Sequence, residues 1–192
     1  MTEATEYLVK DIKWNLGDLR HSIERSIPLS VGQYNKEITE TAKQKIEILE
    51  GKAKKDYSRF AGNWKLQLGT LGSGNHFIEV SHDEEDNVWL FLHSGSRGIG
   101  NKIAQYHINI AKEVCKKMFI ELEDPDLSYL AEGTPEFNDY LKDLNWAQEF
   151  ALLNREEMMD RVIKDFSYFM GLKGQPIKEL ERINCHHNFT RK

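Results

Sequence analysis

Apolar residues recur along this chain at two periods, and the change of period separates helical stretches from strand-forming ones. In GDLRHSIERSI, residues 17–27, Leu19, Ile23 and Ile27 stand four apart, which predicts a short amphipathic helix. Pro28 stops it. A second helix is predicted over 37–55, with Ile38, Ala42, Ile46 and Leu49 on one side and polar or charged residues on the other; Gly51 weakens its late part. Residues 101–118 place Ile103, Ala104, His107, Ile108, Ala111 and Cys115 at three- and four-residue steps, so a third helix is predicted, and His107 and Cys115 read as core positions rather than ligands. Residues 121–133 are acidic and loop-like around Pro125. Thr134-Pro135-Glu136 then opens a fourth helix, with Thr as N-cap, Pro at the first helical position and Glu in the first turn. Its stripe of Tyr140, Leu141, Leu144, Ala147, Ala151, Met158 and Val162, widened by Trp146 and Phe150, carries it to about residue 168, before Gly171, Gly174 and Pro176.

The pattern differs in residues 69–100, GTLGSGNHFIEVSHDEEDNVWLFLHSGSRGIG. Two runs rich in β-branched and aromatic residues, 76–80 and 88–93, flank the polar run 81–87 and predict a hairpin. Pairing about the centre of that polar run sets Val80 opposite Trp89, Ile78 opposite Phe91 and His76 opposite His93, with opposed Cβ atoms about 4.5–5.5 Å apart. Two imidazoles then meet at the open end of the hairpin, close enough to hold one metal ion, and Glu79 falls on the other face. His82 falls in the acidic turn and is solvated. A last strand-like run, ERINCHHNF, occupies 181–189. The expected fold is α+β, with a mixed or antiparallel sheet that contains the 76–93 hairpin and the final strand, and several helices packed over it. No repeat, low-complexity stretch or second-domain boundary is visible, so residues 1–192 read as part of one domain.

Composition narrows the partners. With 192 residues, 40% hydrophobic and 30% charged, the chain is long enough to bury a core. The net charge of −5 means that a nucleic-acid partner needs local basic sites, the candidates being Lys52, Lys54, Lys55, Arg59, Lys65, Arg97 and Lys102. Two cysteines, Cys115 and Cys185, form no CxxC pair and suit a reducing compartment. No apolar run reaches 18 residues and no leader is evident, so a cytoplasmic protein with no membrane partner is expected.

The candidate chemistry clusters at strand ends. His76 follows Gly74-Asn75, His93 precedes Ser94-Gly95, and His186-His187 precedes Asn188. Imidazole suits several divalent metals, and three histidines leave coordination positions open. The bland alternative, satisfied polar residues beside turns, stands for each one taken alone. The glycine turns at 69–74 and 94–100 let backbone N–H groups approach a phosphate, the second precedes a helix, and Arg97 can hold phosphate oxygens in a bidentate way. A surface salt bridge is the alternative for Arg97, and turn formation for Asn75 and Asn188.

At these residues the chain resembles a known family. GTLGSGNHFIE at 69–79, LHSGSRGIGN at 92–101 and INCHHNF at 183–189 resemble, in order, three signature blocks of the RtcB family of RNA ligases, and the seventeen-residue step from His76 to His93 agrees. The resemblance implies a GTP- and manganese-dependent ligase that joins RNA 3′-phosphate or 2′,3′-cyclic phosphate ends to 5′-hydroxyl ends, in tRNA splicing or RNA repair, with two manganese ions and GMP carried on a histidine. It implies His76, His93 and His187 as metal ligands. It implies Asn75, His76, Phe77, Ile78, Glu79, His187 and Asn188 as guanylate contacts, and Arg97 as a residue near the RNA or its phosphate. The family also carries an Asp-x-Gly-Cys-Gly-Met block and a His-Gly-Ala-Gly block with the guanylylated histidine; neither occurs in these 192 residues. No catalytic nucleophile is therefore assigned, and the expectation is the central part of a ligase domain, inactive by itself. The alternatives are a non-catalytic metal-, nucleotide- or RNA-binding fragment, or one half of a split ligase completed by another chain.

Overall fold

The computed structural model describes residues 1–8, 10, 12 and 15–186. In chain order the elements are β1 (Thr2–Leu8), α1 (Leu16–Ser26), α2 (Glu40–Lys52), the short α3 (Trp64–Gln67), β2 (Phe77–His82), β3 (Asn87–His93), α4 (Arg97–Lys117), α5 (Pro135–Phe169) and β4 (Glu179–Ile183). The four strands form one open antiparallel sheet in the order β2-β3-β1-β4, so the fold is α+β and the hairpin and the last strand do share a sheet. β1 was not expected: TEATEYL is largely polar, yet it lies between β3 and β4 and is held by both.

α5 organises the rest. It is 35 residues long, roughly 50 Å at 1.5 Å per residue. Thr134 caps it as the sequence indicates, accepting from the Phe137 N–H. Its first half packs with α2, α3 and α4 around Leu49, Trp64, Ile103, Trp146 and Phe150. Its second half packs with α1 and the inner sheet face around Leu19, Leu90, Met158, Val162 and Phe166. Phe150 and Phe166 are fully buried, and side chains of this kind contribute about 1.5–3 kcal/mol each. The two apolar clusters meet at a buried polar band on α5 made of Asn154, Arg155 and Glu157. His107 and Cys115 are buried on α4, as the helical stripe indicates, and His107 Nε2 lies 2.8 Å from the Asp143 carboxylate.

The hairpin register departs from the expected one by a single residue. Phe77 pairs with His93, Ile78 with Leu92, Glu79 with Phe91 and Val80 with Leu90. The cause is the turn. The Asp83 carboxylate accepts from the N–H groups of Glu85 and Asn87, the Asn87 amide and the Trp89 indole, while Asp86 takes the left-handed conformation at φ 64°. This closes a three-residue loop, and with side chains alternating at period two, a one-residue slip exchanges the faces. Val88, Leu90 and Leu92 therefore point into the core, and Trp89, Phe91 and His93 point out with Phe77 and Glu79. His82 ends β2 rather than lying in the turn, and it is exposed.

Hydrogen bonds from Trp89, first, and then Asn87 pull the Asp83 carboxyl from 3.8 down to about 2. A carboxyl depressed on folding adds stability that is present above the unfolded value of 3.8 and lost as pH falls through about 2. A carbon-detected NMR titration of Asp83 is expected to show its midpoint near pH 2, with the Trp89 indole proton shifting in step. A midpoint at the ordinary aspartate value would contradict this account of the turn.

Candidate functional site

The two glycine turns come together against the polar band of α5. Asn154 is fully buried; its Oδ1 accepts from the N–H of Gly69 (2.7 Å) and Thr70 (3.3 Å), and its Nδ2 donates to the carbonyls of Gly95 (3.1 Å) and Thr70 (3.3 Å). One amide thus fastens the 69–74 turn to the 94–100 turn. Glu157 and Arg161 brace it from the next turn of α5. Glu157 accepts from Thr39, Thr41, Lys45 and Arg161, and Arg161 donates to the Gly69 carbonyl.

On this base sit the expected ligands. His76 is not a strand residue opposite His93; it lies in the turn just before β2. The two imidazoles nevertheless meet, with ring centroids 5.8 Å apart. His76 Nδ1 is 2.7 Å from the Leu71 carbonyl, which also accepts from Ser94 Oγ at 2.8 Å. A carbonyl only accepts, so Nδ1 carries the proton and Nε2 keeps its lone pair, the arrangement that orients histidine ligands at metal sites. Burial holds His76 below the ordinary imidazole range, against the Leu71 hydrogen bond and with the nearby Arg97 adding to the effect. A neutral donor results. His93 stacks on Phe77 at 5.8 Å and 15°, and Asn75 Nδ2 lies 3.4 Å from its Nε2.

Arg97 begins α4 with a left-handed backbone, φ 55°, and its Nε donates to Thr70 Oγ1 at 2.8 Å. Gly72 has φ 99° and passes so close beneath Arg97 and His76 that a Cβ would collide with both side chains. Glycine is required there on both counts.

The expected residues are thus brought together in part. Asn75, His76, Phe77, His93 and Arg97 surround one region, and the true register brings Glu79 to the face of His93, contrary to the sequence expectation. Ile78 turns inward, lining a groove with Leu19 and Ile23 of α1. His187 and Asn188 lie outside the described residues. Among the described residues no three His, Cys, Asp or Glu side chains converge on one point, and two imidazoles are the donors that meet here. The pair fits a metal through the freed lone pair of His76. Of the basic candidates, Lys52 pairs with Glu149, Lys55 with Asp139 and Asp143, and Lys65 with Glu50. No described helix is long and apolar enough to cross a membrane.

Asn154 and Arg155 were not singled out by the sequence, although a signal existed. Both fall at the three- and four-residue steps between Ala151 and Met158, interrupting the apolar stripe of α5 with an amide and a guanidinium.

The profile of a family described as tRNA-splicing ligase RtcB matches residues 36–192. An RNA-splicing ligase RtcB1 from Escherichia coli is 40% identical over 98% of this chain and 50% of its own length, and the RNA-splicing ligase RtcB of strain K12 is 38% identical over the same shares. A tRNA-splicing ligase RtcB of Methanococcus maripaludis is 29% identical over 66% of this chain and 29% of its own length. The chain spans about half the length of the Escherichia coli relatives it matches.

Replacing Asn154 by Ala leaves the buried Gly69 and Thr70 N–H groups and the half-buried Gly95 carbonyl without this partner. The expected loss is on the order of 2–4 kcal/mol in denaturant unfolding. Amide exchange of Gly69 and Thr70 should speed up more than that of Leu90 in the sheet. Unchanged stability and exchange would show that Asn154 does not hold the turns.

Proposed function

Because the chain belongs to the RtcB family, we propose that it forms the manganese- and guanylate-binding part of an RNA ligase that joins 3′-phosphate or 2′,3′-cyclic phosphate ends to 5′-hydroxyl ends. The observation that carries this reading is the meeting of His76 and His93 at the junction of the two glycine turns, with Arg97 beside them. His76 and His93 would hold manganese, with His187 as the expected third ligand. The ion would supply a Lewis acid for phosphate oxygens, and three protein donors would leave positions open.

The remaining side chains fit binding and orientation. Phe77 is 45% exposed on the same sheet face as His93 and Glu79, so it offers a stacking surface with a carboxylate that can accept from a guanine edge. Asn75 adjoins His93 and can orient it or donate to a phosphate. Arg97, half-buried and tethered through Nε to Thr70, keeps its terminal nitrogens for a phosphate oxygen pair. Neither the family's guanylylated histidine block nor its cysteine block occurs in these residues, so no side chain among them is assigned to nucleotide transfer.

Isothermal titration with manganese and then GMP tests this reading. Wild type is expected to bind manganese and, with manganese present, GMP. His76→Ala and His93→Ala are each expected to weaken manganese binding at least about tenfold, the loss of one ligand from a small set. Absence of manganese binding, or binding indifferent to both substitutions, would overturn it. Incubation of the 192-residue chain with labelled GTP and manganese is expected to leave no covalent adduct. An adduct would show that a nucleophile for guanylylation lies within these residues. Metal and GMP binding without ligation in the presence of a complementing chain would favour the alternative, a binding module without chemistry.

A further inference from the structure

Acidic residues are unevenly spread along this chain. Of its 31 Asp and Glu, none falls in residues 57–78 or 87–112, and these stretches include the 57–59 turn, α3 and the greater part of α4, which pack together. α4 buries Ile99, Ile103, His107 and Ala111 on one side, while Asn101, Lys102, Gln105 and Tyr106 stand exposed on the other. Arg59 joins this outer face from the neighbouring turn. Its guanidinium lies over the Phe60 ring at 4.6 Å and the Tyr106 ring at 5.3 Å, and Phe60 meets Tyr106 edge-on at 5.3 Å. Ring contacts hold a guanidinium without using its N–H groups, so these stay available to an anion. Among the described residues neither Arg59 nor Lys102 makes a hydrogen bond or an ion pair, whereas Lys65 pairs with Glu50 and Lys112 with Asp126. Asp56, which feels the charge of Arg59, is already engaged by the N–H and hydroxyl of Ser58. Glu113, two turns past Tyr106, is the first carboxylate along α4.

We propose that the outer face of α4 is the track of the RNA strand as it leaves the end being joined. Phosphates lie on Arg97 and Lys102, Asn101 and Gln105 add neutral contacts, and a base stacks on the Arg59 guanidinium beside Tyr106 while the N–H edge of Arg59 reaches the next phosphate. The identity of the partner as RNA rests on the ligase reading; the surface itself rests on the charge pattern and the Arg59 stack. The face starts in the pocket that holds His76 and Arg97, because Asn101 lines that pocket as well. From Arg97 to Tyr106 the helix rises about 14 Å at 1.5 Å per residue, the length of about four stacked nucleotides at 3.4 Å each. Cations interleaved with ring and guanidinium faces suit a single strand, whose phosphates meet the charges and whose bases stack. An acidic protein segment would use the cations alone and leave Tyr106, 40% exposed, and the Arg59 plane uncovered.

The test uses the full chain in chelator, so that metal binding plays no part, with a fluorescently labelled single-stranded RNA of about ten nucleotides read by anisotropy across a salt series. Arg59→Gln and Lys102→Gln are each expected to weaken binding about fivefold and to lower the slope of log affinity against log salt by about 0.7, the loss of one phosphate contact on a single strand. Arg59→Lys keeps the charge and gives up the planar stack, so it is expected to retain the slope and still bind about threefold more weakly. Lys164→Gln is the control for net charge. Lys164 is exposed in the half of α5 that packs on α1 and the sheet, and wild-type affinity is expected. Circular dichroism checks each fold; Lys102 has no partner to lose, so its variant decides should an Arg59 variant not fold. Wild-type affinity in the folded Arg59 and Lys102 variants, equal weakening by Lys164→Gln, or no RNA binding by the wild-type chain would each overturn the proposal. So would displacement of the RNA by a glutamate-rich peptide as readily as by unlabelled RNA, which would mark a surface for protein carboxylates. Absence of manganese binding in the calorimetric test, with RNA binding still dependent on Arg59 and Lys102, would sink the ligase reading and leave this surface standing; the converse would overturn the surface alone.

Discussion

The amide of Asn154 sits where the two apolar clusters of the protein meet, and the geometry of the whole site follows from its hydrogen bonds. A buried amide is costly unless all its groups are satisfied, and here donors and acceptors from two glycine turns satisfy it. The 69–74 turn is bridged to residues 28–30 by backbone hydrogen bonds, and the 94–100 turn runs into the start of α4. Each borrows rigidity from α5, which is itself fixed by packing on both sides of the band. The Leu71 carbonyl transmits this order outward, because it accepts from both Ser94 and His76 and so aligns the imidazole with the second turn.

This arrangement sets stability against function in a defined way. A continuous apolar stripe on α5 would avoid desolvating Asn154, Arg155 and Glu157, and burying such groups is a poor route to stability. What the polar band supplies is position. Glu157, held by Lys45 and Arg161 against the cost of burial, ties α2 and the 69–74 turn to one helix, and its carboxyl stays below the ordinary glutamate range. Arg97 contributes local strain through its left-handed backbone and hydrogen-bonds Thr70 from the opposite side. Residues in sparsely populated conformations persist where surrounding contacts over-determine them, and functional sites are the usual place.

Much of this was legible in the sequence. The four longer helices follow from stripes of apolar residues and from the Thr134-Pro135 start, and the hairpin follows from its β-branched and aromatic runs. The register did not follow, because it depends on the number of residues in a turn, and that number was set by the carboxylate of Asp83 and the backbone of Asp86. β1 was hidden for a related reason: among its described residues the buried ones are Ala4 and Thr5, and an uncovered polar segment and a paired strand have the same composition. For the site, the proximity of His76 and His93 was correctly foreseen through an incorrect pairing, and Glu79 was placed on the wrong face by the same slip. The break in the α5 stripe marks Asn154 and Arg155 as polar residues on a buried face, but their roles depend on partners distant in sequence that only the fold supplies.

We propose that His76 and His93 offer imidazole nitrogens to one manganese ion. Pulsed electron paramagnetic resonance of the manganese-loaded chain, prepared with and without nitrogen-15 histidine, tests it most directly. The account predicts modulation from at least two imidazole nitrogens that changes with the isotope. A spectrum of manganese surrounded by water and carboxylate alone, with no isotope-sensitive nitrogen coupling, would contradict it.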